Sequence, residues 1–293
     1  MNLNTRLNFG IFLALTITIL GCGIMSPTPD STPTPMPAPG SSGFTIDFID
    51  VGQGDATLVT AITGETLLVD GGRSKNRLRD RLESMGIQDL DAIALTHPDA
   101  DHVAGFVEVL EMFPVERVYL NGGESDSQTF GNFMASVEAE GATVATVSRG
   151  DTISLGGLTL SVVHPGELSG DSNEDSLVLL LDCSDVEVLL TGDAETPSEE
   201  DMLAAGVLFD IDVLKIGHHG SRTSSSQPFL DALLPEAGVI SAGMENSYGH
   251  PHEDVMARLA ATGMRILETD TSEDADGIRM TSDCQTYEFG PIP

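Results

Sequence analysis

The stretch that most narrows the folds open to this chain is residues 92–95, a short apolar run leading straight into Thr96-His97-Pro98-Asp99-Ala100-Asp101-His102. An apolar run of that length, bounded by turn residues, reads as a buried strand. The six residues after Thr96 carry four potential metal ligands, His97, Asp99, Asp101 and His102. Imidazole and carboxylate together suit zinc or manganese. Neighbouring ligands on one tight loop can point at two separate ions. The fold must then hold this loop at a strand end, where loops converge on a rigid scaffold.

The rest of the pattern agrees. The chain has seven histidines, and five of them (His97, His102, His164, His218 and His219) closely follow an apolar strand. Periodicity predicts strands over 44–51, 56–61, 65–69, 92–95, 115–120 and 143–147, then four in series over 152–155, 158–163, 176–181 and 186–190. Further strands are predicted over 211–216, 238–241, 265–267 and 277–281, with helices over 76–85, 103–112, 128–139, 227–234 and 253–262. No internal repeat is visible. Mixed strands with interleaved helices predict an α/β layered sandwich.

Residues 1–22 read as an export signal: Arg6 is basic, residues 11–20 are apolar, and Ile19-Leu20-Gly21-Cys22 resembles a bacterial lipobox. That predicts lipidation of Cys22 and a lipid-anchored chain at the cell surface or in the periplasm. Residues 23–43 are rich in Pro, Ser, Thr and Gly and read as an extended linker. About 250 residues remain, 44–293, enough for one large core. No segment after residue 22 offers the roughly 20 apolar residues of a membrane helix, so nothing here reads as a transport channel. The net charge is -33, from 46 acidic and 13 basic residues. Such a surface repels nucleic acid at long range and suits solubility in salt.

An ordered series of motifs now becomes informative: Asp50-Val51-Gly52-Gln53-Gly54-Asp55-Ala56, Leu68-Val69-Asp70-Gly71-Gly72, the 97–102 loop, Asn173 with Ser176-Leu177-Val178, Leu190-Thr191-Gly192-Asp193, Leu214-Lys215-Ile216-Gly217-His218-His219-Gly220-Ser221, and Asn246-Ser247-Tyr248-Gly249-His250-Pro251-His252. Together they resemble the metallo-β-lactamase superfamily, whose signature is His-x-His-x-Asp-His. Asp99 stands where the second histidine is usual. That departure resembles the hydrolase domain of the ComEC competence proteins and the related phosphorylcholine esterases, and sets the chain apart from β-lactamases and lactonases.

The resemblance implies an αββα four-layer sandwich and two divalent metal ions, zinc or manganese. His97 and Asp99 would bind one ion, Asp101 and His102 the other, and Asp193 would bridge them. His219 or His218 would complete the second site, and His164 is an extra candidate for the first. Asp70 would orient the metal loop by hydrogen bonds. Asp70, Asp101, Asp193 and His250 are then the candidate catalytic residues, His250 as proton donor to a leaving group or as a phosphate contact. Ser221, Thr223 and Ser224, beside Arg222, suit phosphate contacts, and Asn246 and Tyr248 join them as substrate-binding candidates. Arg73, Lys75, Arg77, Arg79 and Arg81 crowd nine residues after Asp70. Arg77 and Arg81 share a helix face and are candidates to guide an anionic substrate.

Cys183 and Cys284 remain after Cys22. In an oxidising compartment they are expected to form a disulfide, on the reading that strands 176–181 and 277–281 are neighbours in one sheet. The functional expectation is a ComEC-like phosphoester hydrolase acting on a phosphorylated substrate, single-stranded DNA among the candidates. The alternatives are a small-molecule phosphodiesterase of the phosphorylcholine-esterase kind and, from another class, a non-catalytic metal-binding surface lipoprotein.

Overall fold

The computed structural model describes residues 43–244, 246–270 and 276–293. The leader at 1–22, Cys22 within it, and the linker up to residue 42 lie outside the described residues.

The apolar strands assemble two sheets. The first has eight strands in the order β15-β14-β1-β2-β3-β4-β5-β6. In chain order these are β1 (Phe44–Ile49), β2 (Thr57–Ala61), β3 (Thr66–Val69), β4 (Leu90–Leu95), β5 (Val115–Leu120), β6 (Thr143–Thr146), β14 (Gly277–Ser282) and β15 (Tyr287–Pro291). The second has seven, ordered β13-β12-β11-β10-β9-β8-β7. They are β7 (Thr152–Leu155), β8 (Leu158–His164), β9 (Val178–Cys183), β10 (Val186–Leu190), β11 (Val213–Lys215), β12 (Ala237–Ile240) and β13 (Arg265–Glu268).

Side-chain alternation explains the layering, because successive residues of a strand face opposite sides. In β4, Ala92 and Ala94 turn to the space between the sheets, while Ile93 and Leu95 turn outward. In β9, Leu179 and Leu181 face inward and Val178 and Leu180 outward. Both faces are buried, so these strands read as continuous apolar runs. Outside the first sheet lie α1 (Lys75–Ser84), α2 (Ala100–Val103), α3 (Phe106–Met112) and α4 (Gln128–Glu140), packing through Leu78, Leu82, Phe106, Val109 and Phe133. Outside the second lie α5 (Thr196–Ala205), α6 (Gln227–Leu233) and α7 (Glu253–Thr262), packing through Met202, Phe229, Leu230, Val255 and Leu259. The result is the four-layer αββα sandwich. Each buried leucine or phenylalanine contributes about 1.5–3 kcal/mol relative to exposure.

Strand direction positions the site. β3, β4 and β5 run parallel, as do β10, β11 and β12. Asp70, Thr96-His97, Asp193, His218-His219 and Ser241 therefore all follow the C-terminal ends of parallel strands. Leu177 N donates to Thr96 O (2.9 Å), joining the approach to β9 to the end of β4.

Several elements differ from the sequence reading. The helix read at 103–112 is two, interrupted at Ala104-Gly105, and α2 begins at Ala100, so His102 lies inside a helix. The strand read at 176–181 runs Val178–Cys183 instead, because Ser176 and Leu177 bond toward the metal loop. Helix α5 has no apolar stripe to betray it. Besides Met202 it buries Ser198 and Glu199, satisfied by Glu174 and by the Ser225 and Ser226 N–H groups. The cysteines do join, Cα to Cα 5.1 Å, but β9 and β14 belong to different sheets. The bridge fastens one sheet to the other and does not link neighbours within one. Among the described residues, no helix is long and apolar enough to cross a membrane.

Candidate metal centre

Asp193, just past β10, is buried and sends Oδ2 into a ring of imidazoles. His102 Nε2 lies 3.2 Å from that oxygen, His219 Nε2 3.5 Å and His97 Nε2 3.9 Å. Asp101 Oδ2 stands 3.7 Å from His219 Nε2, and Asp99 Oδ2 4.0 Å from His97 Nε2. Two ligand atoms about 2.1 Å from one ion at a tetrahedral angle stand roughly 3.4 Å apart, so these spacings suit ions between the atoms.

The far side of each ring is anchored. His102 Nδ1 is 2.7 Å from Asp70 Oδ2, and His219 Nδ1 is 2.8 Å from Ser241 O. Both partners can only accept, so each ring carries its proton on Nδ1 and turns an Nε2 lone pair inward. The Thr96 hydroxyl donates to Asp70 Oδ2 (2.7 Å) and so accepts from His97 Nδ1 (3.0 Å). The Nε2 atoms of all three histidines, with Asp193 Oδ1, are buried without a hydrogen-bond partner. Buried polar atoms are rarely left unpaired. Converging orphan lone pairs with fixed tautomers fit divalent metal ions, which His97, His102 and Asp193 together, and Asp101, His102 and His219 together, would hold, with Asp99 standing beside His97.

Charge balance points the same way. Burial works to raise the Asp193 carboxyl, but His102 and His219 outweigh it and hold it well below the usual range. Burial works to lower His102, yet Asp193 and Asp70 push it well above the ordinary imidazole value. Burial and His102 together lower His97. The carboxylates thus demand a positive counter-charge, which metal ions would supply in place of protons.

The scaffold is held under strain. Asp70, His218 and His219 adopt left-handed backbone, φ 61°, 47° and 54°, at about 1–3 kcal/mol each for non-glycine residues. Asp70 also accepts from Thr96 N (2.8 Å), and Asn121 Nδ2 donates to Thr96 O (3.1 Å) and Asp175 O (2.6 Å). Gly54, at φ 123°, packs its Cα on the Asp101 carbonyl, where a Cβ would collide.

A cavity of about 110 Å³ opens over the cluster, walled by Gln53, Asn173, His218, Tyr248 and His250. Arg73 Nη1 donates to Tyr248 Oη (3.0 Å), and Tyr248 stacks on His250 with centroids 5.7 Å apart.

Between the paired histidines, His219 lies in the buried ligand groups. His218, with its side chain 21% exposed, binds Glu195 Oε1 through Nδ1 (2.7 Å) at the mouth, its Nε2 3.6 Å from Asp193 Oδ2. His164 does not join the cluster: Nδ1 pairs with Ser176 O (3.0 Å) and Nε2 faces Asp201 of α5 (3.6 Å). Burial, then His218, His219 and His252, pull His250 down to about 4, so at neutral pH it offers an uncharged ring and not an imidazolium acid. The serines and threonine, read as phosphate contacts, are instead engaged in internal hydrogen bonds. Ser224 is fully buried and donates to Gly217 O (2.6 Å), Ser221 pairs with Thr223 (2.8 Å), and Thr223 donates to Glu195 (2.7 Å). They brace the His218-His219 turn. Asn246 likewise organises its own loop, donating to His250 O and accepting from Tyr248 N and His250 N. Arg77 is engaged by buried Asp50 (3.0 Å) and Arg81 by Asp276. A carboxylate already engages each of the two guanidiniums assigned to guide substrate, and Arg73 reaches the mouth through Tyr248.

Sequence reasoning gave no role to Asp55, Lys215, Gln53 or Glu195. Buried Lys215 pairs with Asp55 at 2.8 Å, and Asp55, Asp193 and His219 form one of the ligand groups. A lysine inside an apolar strand was the available signal.

The model of the metallo-beta-lactamase superfamily matches residues 49–243. The chain is 33% identical over 250 residues to ComE operon protein 3 of Bacillus subtilis, covering 78% of this chain and 32% of that protein. It is 34% identical over 229 residues to competence protein ComA of Neisseria gonorrhoeae, covering 76% and 30%. It thus spans about a third of the length of these relatives. Igni18, a metallo hydrolase of the archaeon Ignicoccus hospitalis, superposes with a TM-score of 0.52 at 14% identity, over 82% of this chain and 98% of that one, which is a likeness of fold.

Proposed function

The chain belongs to the metallo-beta-lactamase superfamily of hydrolases, in the branch of the competence proteins, and on that premise we propose that it hydrolyses phosphodiesters with two divalent ions, zinc or manganese. The observation that carries the reading is the Asp193 carboxylate among three buried imidazoles with unpartnered Nε2 atoms. When bound, such ions would supply an activated water and offset charge developing at phosphorus.

The chain's own residues do the rest. Asp70 keeps the His102 ring and the Thr96 turn in register, so the donors need no reorganisation as charge develops. The mouth supplies the uncharged His250 ring and the Tyr248 hydroxyl as phosphate contacts, with Arg73 behind the tyrosine as the nearby cation. A leaving oxygen would meet the partly exposed His218, fixed by Glu195.

Substrate size follows from charge and space. The cavity is small, Arg77 and Arg81 are already paired, and the net charge is -33. These favour a small phosphodiester over a polyanion. Similarity to the competence proteins supports the second reading, a nuclease acting on single-stranded DNA. The Cys183–Cys284 bridge supports export, since such bridges persist in oxidising compartments, and tethering to a membrane through a lipidated Cys22 completes the proposal. The test is hydrolysis by the purified chain, loaded with zinc or manganese, of bis-p-nitrophenyl phosphate, p-nitrophenyl phosphorylcholine and single-stranded DNA. We expect turnover of a small diester that chelation removes. No metal-dependent hydrolysis of any of the three would overturn the reading.

A further inference from the structure

Beneath the metal cluster lies a buried ion pair, an arrangement that is weak evidence of a purely stabilising role. Lys215, one of the two lysines in the chain, is 2% exposed at the end of β11. Its Nζ donates to Asp55 Oδ2 (2.8 Å) and to Ile216 O (3.0 Å). Asp55 comes from the turn between β1 and β2, so the pair spans from one sheet to the other. Apolar side chains of similar volume generally serve a core as well as a buried ion pair, or better.

The surroundings suggest what the pair is for. Asp55 Oδ1 is buried, has no hydrogen-bond partner and lies 3.4 Å from His219 Nδ1. Asp55 N reaches Asp101 O (3.3 Å), so the same residue touches the metal loop. Donor atoms of Asp55, Asp193 and His219 all lie within 4.8 Å of one another. A free carboxylate at that spot would compete for the ion that His219 serves. The lysine also fixes the carbonyl that opens the Gly217–Gly220 turn, whose two histidines hold left-handed backbone.

We propose that Lys215 is a positioning residue for the metal position of His219: its ammonium pins Asp55 against the Nδ1 edge of the ring and keeps that carboxylate an anchor instead of a further ligand. The inference rests on the dinuclear-metal reading above. Ser241 O fixes the His219 tautomer, and Asp55 sets the negative charge behind the ring, which tunes a ligating imidazole.

The test compares the full chain with Lys215→Met/Asp55→Asn, which removes both charges and leaves no buried ion unpaired. Metal-free protein is melted, then titrated with manganese, with free and spin-coupled ions followed by electron paramagnetic resonance. The double variant should melt cooperatively and bind its first ion as wild type does, with the second weakened about 10–100-fold. Two ions bound with wild-type affinities would overturn the inference. So would loss of the cooperative melt, which would make the pair a requirement of the fold. Wild type that binds fewer than two ions fails the dinuclear reading itself, a result distinct from a defect confined to the variant.

Discussion

Replacing Asp70 by Asn tests how the metal loop is held. The Asp70 carboxylate accepts from Thr96 N (2.8 Å), Thr96 Oγ1 (2.7 Å) and His102 Nδ1 (2.7 Å), and it is buried. Asparagine keeps the shape but turns an NH2 group toward one of those donors. A buried donor left unpaired costs about 1–3 kcal/mol. Removing an outer partner of a ligating histidine typically weakens metal binding by about 10–100-fold, which at about 1.4 kcal/mol per decade is about 1.4–2.8 kcal/mol. The two estimates agree, so the defect should appear mainly as lost affinity for the ion that His102 serves. Competition with a chromogenic chelator measures that affinity, and a melt of the metal-free protein measures the structural share. The reasoning is refuted if the variant binds both ions within about threefold of wild type.

Reducing the Cys183–Cys284 bridge reopens a loop of 101 residues between the two sheets. We expect a loss of about 2–4 kcal/mol in chemical denaturation, against an entropic ceiling near 4.7, and unchanged midpoints with and without reductant would contradict it. Burial, then the hydrogen bond to Asp212 and the charges of Asp212, Asp182 and Asp185, push Glu187 from 4.5 up to about 7. A carboxyl that holds its proton better when folded stabilises fully below 4.5 and loses that contribution as pH rises through 7. Glu187→Gln should therefore melt as wild type does below pH 4.5, gain on it as pH rises from 4.5 to about 7 and keep a constant lead above that, and parallel melting curves across that window would refute the assignment. Arg77→Gln strands buried Asp50, so it should cost about 1–3 kcal/mol in stability while changing KM equally for a small diester and for DNA. A selective loss of DNA binding would return Arg77 to the substrate route.

How much of this was legible in the sequence depends on the kind of signal. His97, Asp99, Asp101 and His102 stood out because four ligand types crowd one loop after a strand, while Asp193 followed from the family resemblance, and the structure sets His97 and His102 around the Asp193 carboxylate. The layered architecture followed from mixed strands with interleaved helices, and its four layers from the family resemblance. Polar burial left no period to read, which is why α5 and the Lys215–Asp55 pair escaped notice. Ser221, Thr223 and Ser224 looked like phosphate contacts because hydroxyls next to histidines suit either role, and only their partners reveal a brace. Likewise, counting cysteines paired Cys183 with Cys284, but which sheet each strand joins is a matter of topology that composition does not carry.

Two divalent ions with Asp193 among their ligands are what we propose, and counting metal decides it. Purified chain would be stripped, reloaded with zinc or manganese, desalted and measured by elemental analysis, alongside Asp193→Ala. The account predicts about two ions per chain in wild type, as in two-metal hydrolases, with clear loss in a variant that still melts cooperatively. Wild-type protein that retains no metal, or an Asp193→Ala variant that retains the full complement, would contradict it.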